Sequence, residues 1–312
     1  MAIELDLANK TTYLQPVKGL EYPSYYLRVI RSITKKQVLQ PTKESYPFAI
    51  DFQITKACFR AWAQSFDIPR HQLPPILSYY ARLSRDYLFH VLTDLGVNFA
   101  NIMQLGVDTR IYQADFRFRP NQTYHYSASL RNVAPLHRGR AVLDFLCQIH
   151  DKNGALVLEH SDKMFLKNLR ESDCTKLTQL QNHPDSYADF MGLSKRSSQV
   201  ITQEGHKVLP LHLKANAGYQ YGKASGDLNP LHTSQIFSRL SGHRGAFVQG
   251  LFTNNLVFKL LAHELQTTCS ALHIKFTSPI YCDMPALFIY KDSHFEFVDL
   301  NQRLLAFGSW EY

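Results

Sequence analysis

Residues 221–232 read Tyr221-Gly222-Lys223-Ala224-Ser225-Gly226-Asp227-Leu228-Asn229-Pro230-Leu231-His232, and this stretch carries the strongest signal in the chain. Gly226 permits a tight turn, and Asp227 and Asn229 are residues that favour turns and helix caps. Asn229-Pro230 predicts a helix start, because asparagine caps free N–H groups and proline suits the first helical position. His232 then falls in the first helical turn, and its imidazole is expected to face the loop that holds Asp227.

This arrangement has two interpretations. A carboxylate and an imidazole that converge on one small site can perform general acid–base chemistry on a water molecule. An ordinary turn and helix cap followed by a structural histidine is the more frequent alternative. The residues alone leave both open.

The sequence after this stretch predicts a helix and then four strands. Residues 249–264 place apolar side chains on one helical face, which includes Leu251, Phe252, Leu256 and Val257. Strands are predicted at residues 271–276, 286–290, 294–300 and 304–310.

The first half repeats this order of elements. Apolar residues at helical spacing predict a helix over residues 77–95, and strands follow at 123–130, 141–149 and 155–158. Between the last two strands, Asn153-Gly154 predicts a type I′ hairpin turn. A helix followed by antiparallel strands in each half indicates the α+β class. The polar segment 173–198 is interpreted as a linker, with some helical character, that separates the halves.

The composition excludes several classes of protein. The 312 residues are 45% apolar and 19% charged, which is typical of a soluble globular chain. The formal charge of +8 is spread along the sequence, so we expect no nucleic-acid surface. No apolar stretch is long enough to span a membrane, and no signal peptide is recognisable. Five scattered cysteines predict neither a disulfide framework nor a zinc cluster, and they favour a cytoplasmic location.

The quoted stretch resembles the signature of the MaoC-like dehydratases and (R)-specific enoyl-CoA hydratases, which adopt the hotdog fold. Tyr221 and the run 225–232 match that pattern without a gap, and Ile274-Lys275-Phe276-Thr277-Ser278-Pro279-Ile280 is similar to a later strand of the family. The first half resembles the degenerate repeat of two-repeat members only in its order of elements. The resemblance therefore implies a double hotdog, in which each repeat wraps an antiparallel sheet around a long central helix. The repeats would span 1–172 and 199–312, with one active site per chain.

The resemblance also implies a function. The chain would be a hydro-lyase that hydrates trans-2-enoyl thioesters and dehydrates (R)-3-hydroxyacyl thioesters, with Asp227 and His232 as the acid–base pair. The backbone N–H of Gly250 would stabilise the thioester oxygen, and the chain departs from the family at the preceding position, where Gln249 replaces a histidine. Asn229 would order the loop.

Other parts of the expected site are less specific. Ser225 and Tyr221 belong to the substrate-binding region, with packing the more frequent role for Tyr221. His137, Arg138 and Arg140 are candidates for contacting the phosphates of the substrate carrier. The expected substrate is a thioester of coenzyme A or of acyl carrier protein, and no metal or other cofactor is expected. A homodimer of such chains is one assembly that the resemblance allows.

Two further functions compete with this interpretation. The first is a catalytically inactive hotdog protein that binds acyl thioesters or serves as a subunit of a complex. Gln249 favours that alternative, as does a first half that has no Asp-x-Asn-Pro-x-His motif. The intact Asp227 and His232 oppose it. The second is a thioesterase on the same fold, which ranks last because thioesterases of this fold place their carboxylates elsewhere.

Overall fold

The structure is a computed structural model, and it describes residues 12–14, 46–74, 76–98, 101–136, 138–178 and 205–312. The first half contains six strands, three α-helices and a short 3₁₀ helix among these residues. They are β1 (Thr12–Leu14), β2 (Phe48–Ile54), α1 (Lys56–Phe66), the 3₁₀ helix (Arg70–Gln72), α2 (Ala81–Asp94), β3 (Ile102–Ile111), β4 (Thr123–Leu136), β5 (Arg140–His150), β6 (Leu156–Leu166) and α3 (Glu171–Thr178).

The second half contributes five strands and four helices to the described part of the chain. They are β7 (Lys207–His212), α4 (Ala217–Ser225), α5 (Pro230–Thr233), α6 (Gln235–Leu240), α7 (Gly250–His263), β8 (Ala271–Phe276), β9 (Pro285–Lys291), β10 (His294–Asp299) and β11 (Leu304–Glu311). None of the described helices combines the length and apolarity that a membrane span requires.

All eleven strands belong to one sheet. Their order is β1-β2-β4-β5-β6-β3-β8-β11-β10-β9-β7, and every neighbouring pair is antiparallel except β1 and β2. The two halves meet where β3 pairs with β8, with Gly106 opposite Lys275 and Arg110 opposite Ala271. The sheet is therefore continuous across the junction of the halves.

Two long helices, α2 and α7, pack into the interior. Nine of the fourteen residues of α7 are buried, including Thr253, Asn254 and Asn255. Such broad burial agrees with the wide apolar face that the sequence predicts for this helix. Polar residues at three successive buried positions must find hydrogen-bond partners, because an unpaired buried polar group is costly. Asn255 meets this need across the two halves, since its Oδ1 accepts the backbone N–H of Ser78 at 2.9 Å.

The predictions for the second half agree closely with the structure. The helix predicted at 249–264 is α7 (Gly250–His263), and the strand predicted at 271–276 is β8. In the first half the helix begins later than predicted, at Ala81 instead of residue 77. Ahead of it the chain forms a tighter turn, in which the N–H of Ala81 donates to the Ser78 carbonyl three residues earlier at 2.8 Å.

The predicted hairpin turn lies at the expected place, but its type I′ assignment is wrong. Among the turn residues only Gly154 has a positive φ, of 81°, whereas type I′ requires two successive positive values. The N–H of Gly154 instead donates to the Asp151 carbonyl at 3.0 Å. The Asp151 carboxylate accepts the N–H groups of Asn153 and Ala155, each at 2.9 Å. The hydrogen bonds to Asp151 therefore determine the conformation of the turn.

Several elements were not predicted from the sequence, namely β2, α1, β3, β7 and α4. Helix α4 precedes the informative loop, and Gly218 and Gly222 lower its helix propensity enough to hide it. Of the predicted linker, residues 173–178 belong to α3, in which Leu177 is fully buried in the core. Residues 179–198 lie outside the described residues.

Candidate active site

Gly226 ends α4 and redirects the chain into the loop. Its φ of 81° lies in the left-handed region, which glycine adopts without strain. Its N–H donates to the Gly222 carbonyl at 2.8 Å. Buried Ser225 holds the turn from within, because its Oγ donates to the Tyr221 carbonyl at 2.8 Å and accepts the Asp227 N–H at 3.2 Å. Ser225 therefore shapes the loop from a position with 1% exposure.

The loop itself is a pair of side-chain-capped turns. The carboxylate of Asp227 accepts the N–H of Asn229 at 3.3 Å, and Asn229 in turn accepts the N–H of Leu231 at 3.1 Å. Pro230 occupies the first position of α5, as predicted. Asp227, Asn229 and His232 are all partly exposed, so this loop presents polar side chains at the protein surface.

His232 is oriented by a backbone carbonyl outside the loop. Its Nδ1 lies 2.8 Å from the carbonyl oxygen of Phe247. A carbonyl oxygen only accepts hydrogen bonds, so Nδ1 carries the proton and donates. In the neutral imidazole the lone pair then resides on Nε2, which is the form that can act as a base. The Phe247 ring packs edge-on against the imidazole at a centroid distance of 4.7 Å and fixes its plane.

Gln249 ties the loop to the start of α7. Its Nε2 donates to the carbonyl oxygens of Asp227, at 3.1 Å, and of Gly218, at 3.2 Å. The residue is only 4% exposed, and its Oε1 has no hydrogen-bond partner among the described residues. The amide therefore acts as a double donor that holds the Asp227 backbone, α4 and the N-terminus of α7 together.

Gly250 is the first residue of α7. The N–H groups of a first helical turn have no acceptor within the helix, and the helix dipole adds positive potential there. A Cβ at this position would overlap the Oε1 of Gln104 and approach the Phe276 ring to 2.9 Å. A larger residue at position 250 would therefore require Gln104 and Phe276 to shift, and Gln104 from the first half borders the helix N-terminus.

A chain of buried polar side chains supports Gln104. Its Nε2 donates to Asp162, whose other carboxylate oxygen lies 3.3 Å from His160 Nε2. The His160 Nδ1 is 3.0 Å from the hydroxyl of Thr109, and that hydroxyl donates to Asn254 of α7 at 3.4 Å. Because Asp162 accepts the Gln104 amide N–H, the amide oxygen of Gln104 is directed towards Gly250.

Two arginines that sequence analysis did not single out reach the same loop. A Cβ at Gly226 would lie 2.9 Å from Arg85 Nη1 and 3.1 Å from Arg82 Cγ. Both residues belong to α2, and the guanidinium of Arg85, which also pairs with Asp86, lies at the C-terminal end of α4, where a helix dipole favours positive charge. Their spacing of three residues places both on one face of the predicted helix. No local sequence pattern, however, links that face to residues 225–232.

Tyr221 lies in an aromatic cluster. Its ring is edge-on to Trp62 at 5.3 Å and to Phe252 at 5.4 Å, and the residue is 1% exposed. The hydroxyl lies 3.5 Å from Asn255 Nδ2. This environment favours packing as its role over contact with a substrate.

The remaining sequence candidates belong to the turn between β4 and β5. Arg138 and Arg140 flank the turn between β4 and β5, and His137 lies outside the described residues. Within the described part of the chain, no three His, Cys, Asp or Glu side chains are grouped as a metal site would require. All five cysteines are free, and burial raises the pKa of Cys58 and Cys147 to about 12, which suppresses thiolate formation.

Residues 197–285 match the family described as the MaoC like domain. The matched segment includes the candidate loop, so this part of the chain is similar to a MaoC-like domain. No curated protein sequence matches the chain.

Solved structures share the fold over most of the chain. HtdX from Mycobacterium tuberculosis is 15% identical with a TM-score of 0.59, over 85% of this chain and 99% of that one. A MaoC-like dehydratase from Phytophthora capsici is 12% identical with a TM-score of 0.62, over 85% and 96%. An acyl-ACP thioesterase from Bacteroides thetaiotaomicron is 9% identical with a TM-score of 0.50, over 87% and 99%. These similarities define a hotdog-type, MaoC-like fold.

Proposed function

We propose that the chain is a hydro-lyase that interconverts trans-2-enoyl and (R)-3-hydroxyacyl thioesters. The observation that carries the proposal is the orientation of His232, whose protonated Nδ1 is held by the Phe247 carbonyl. This leaves Nε2 as a base on the same partly exposed loop as Asp227. The match of residues 197–285 to the MaoC like domain supports this class of reaction.

In the proposed mechanism, Asp227 and His232 transfer the protons, and Gly250 at the start of α7 stabilises the negative charge. Asp227 and His232 hold a water molecule and remove a proton as its oxygen bonds to C3 of the enoyl thioester. Negative charge that develops on the thioester oxygen is stabilised by the N–H of Gly250 and the dipole of α7. The proton is then returned to C2, and dehydration is the reverse.

The proposed architecture is a double hotdog, with the degenerate repeat at residues 1–172 and the catalytic repeat at 199–312. The joined sheet and the two long buried helices support it. Under this proposal the degenerate repeat still serves the catalytic one, because Gln104, Arg82 and Arg85 all reach the catalytic loop or α7. The proposed substrate is an acyl thioester of coenzyme A or of acyl carrier protein.

The test is hydration of crotonyl-CoA and a longer enoyl-CoA, followed by loss of the enoyl absorbance, with release of free thiol measured in parallel. We expect hydration without thiol release. Thiol release without hydration would instead assign the chain to the thioesterases. Binding of enoyl-CoA without either reaction would indicate an inactive subunit.

Asp227→Asn and His232→Ala should each lower kcat by about a hundredfold or more, which is the scale of removing a general acid–base group. Both residues are partly exposed, so the thermal midpoint of unfolding should change little. Exposed His294 offers a matched control, and His294→Ala should keep full activity. Near wild-type turnover in either folded variant would remove that residue from the mechanism.

A further inference from the structure

A cavity of about 620 Å³ lies between α1, α4 and α7. Phe252 and Leu256 of α7 line it, but Asp227, His232 and Gly250 do not. On the inner side, Tyr221 packs edge-on against Phe252 at 5.4 Å and against Phe66 at 6.5 Å. This aromatic layer separates the cavity from the polar loop, so the cavity is distinct from the candidate active site.

The charged side chains around the cavity are mostly positive. Lys214, Lys223 and Lys259 line it, against one carboxylate, Asp67. That carboxylate is already engaged, because it accepts a hydrogen bond from Lys214 at 2.7 Å. Two ammonium groups therefore remain to face an anion.

Lys259 is the better placed of these two groups. It is partly buried, and its Nζ donates to the carbonyl oxygen of Phe66 at 3.3 Å, a neutral acceptor. Burial lowers the pKa of Lys259, and the more distant charges of Glu264 and Asp67 oppose this shift. A partly desolvated ammonium gains more from a contacting anion than an exposed one does, because the local dielectric is lower.

Part of the cavity wall is apolar, because Phe252, Leu256 and Leu213 line it and are at least nine-tenths buried. The rest of the lining includes the polar side chains of Gln64, Ser65, His212, Asn216 and Gln220. Lys223 lies at the rim, with its ammonium 5.1 Å from the centre of the Tyr219 ring. An anionic head group and an apolar body are the complementary features of a ligand for such a site.

We propose that this cavity is a second ligand site, which takes the carboxylate of a fatty acid. The carboxylate contacts Lys223 and Lys259, and the hydrocarbon chain lies over Phe252, Leu256 and Leu213. The site needs no turnover at Asp227 and His232, so it stands or falls independently of the proposed function.

Calorimetric titration of the full chain with dodecanoate tests the proposal. We expect saturable binding of one dodecanoate per chain, and at least tenfold weaker binding of dodecan-1-ol, which lacks the charge. The double variant Lys223→Gln/Lys259→Gln should weaken dodecanoate binding at least tenfold. Lys207→Gln, which changes an exposed lysine on β7, should leave binding unchanged.

Two further variants separate this cavity from the catalytic loop. Leu256→Trp should fill the cavity and abolish dodecanoate binding while the circular dichroism spectrum stays that of the wild type. His232→Ala should keep dodecanoate binding. The proposal is overturned if no saturable binding occurs, or if His232→Ala removes binding while the double lysine variant keeps it. Displacement of dodecanoate by free coenzyme A would also overturn it, because the cavity would then belong to the thioester carrier.

Discussion

At the scale of single residues, Gln249 has a clear physical role despite its departure from the family histidine. Its Nε2 makes two hydrogen bonds to backbone carbonyls, one of them to Asp227 itself. Glutamine at this position therefore directs a donor at the loop that holds Asp227.

Gln249→Glu should test that role with almost no change in side-chain volume. An ionised carboxylate cannot donate to the carbonyls of Gly218 and Asp227 and would repel both. We expect kcat for enoyl-thioester hydration to fall about tenfold or more, with a smaller change in KM. Circular dichroism should verify folding.

Gln302→Glu is the control for this prediction, because Gln302 is exposed on the turn between β10 and β11. Its kinetics should match the wild type. If Gln249→Glu also kept wild-type kcat, the double donor would be irrelevant to catalysis.

At the scale of elements, α7 and its N-cap residue contact the other parts of the candidate site. Its N-cap residue Gln249 holds the loop, and its first residue Gly250 accommodates Gln104. One turn further, Asn255 reaches both Ser78, ahead of α2, and Tyr221 of α4. Buried polar residues on this helix therefore fix the positions of its neighbours, which apolar packing alone does not specify.

Asn255→Ala should destabilise the protein by about 2 kcal/mol, because it leaves the buried Ser78 N–H without its acceptor. Alanine is the better helix former, so backbone propensity would act in the opposite direction. The free energy of unfolding in urea measures the effect. Exposed Asn301→Ala is the control and should change that free energy by less than about 0.5 kcal/mol. Equal values for both variants would contradict the role of Asn255.

At the scale of the whole molecule, the two halves are joined by the backbone pairing of β3 with β8 and by charged side chains at that junction. Asp108 of β3 and His273 of β8 are cross-strand partners, with Nδ1 of the histidine 2.9 Å from the carboxylate. Lys163 of β6 donates to the other oxygen of Asp108. Burial raises the pKa of Asp108, but the hydrogen bond from His273 and the charge of Lys163 outweigh it and bring the pKa to about 2. The hydrogen bond to Asp108 raises the pKa of His273.

These shifts define a pH window for the stability of the junction. The lowered pKa of Asp108 contributes stability above about pH 4, where the unfolded carboxylate is ionised, and this contribution is lost as the pH falls towards about 2. The raised pKa of His273 contributes below about pH 6.5 and is lost as the pH rises through its folded value. Both contributions are complete between about pH 4 and pH 6.5.

Asp108→Asn should therefore lower the free energy of unfolding by about 1 kcal/mol at pH 5.5, the upper end for partly exposed ion pairs. The loss should be smaller at pH 9, because the contribution of His273 declines as the pH rises through its folded pKa. Urea denaturation at the two pH values measures the difference. Asp51→Asn is a matched control, since Asp51 faces His125 across β2 and β4, both side chains are about half exposed, and the loss of stability should be smaller. An equal loss at both pH values would refute the assignment to His273.

The sequence by itself determined the local structure of the loop. The Asn229 side chain accepts the N–H of Leu231, and the Asp227 carboxylate accepts the N–H of Asn229. Each bond joins residues two positions apart, so these contacts follow from the order of residues alone. Helix α7 and the strands after it were also predictable, because their periodicity reflects which face is buried. Helix α4 was not, since its two glycines weaken the local signal and its stability comes from packing.

Only the tertiary structure decided what surrounds the loop. Ser78 and Asn255 are 177 residues apart, and their hydrogen bond joins the segment ahead of α2 to α7. Gln104, Arg82 and Arg85 come from the first half, where no local pattern marks them as partners of Gly250 or Gly226. Helix periodicity fixes which side of a helix is buried but not which element covers it. Those long-range pairings arise only when the joined sheet brings the two halves together.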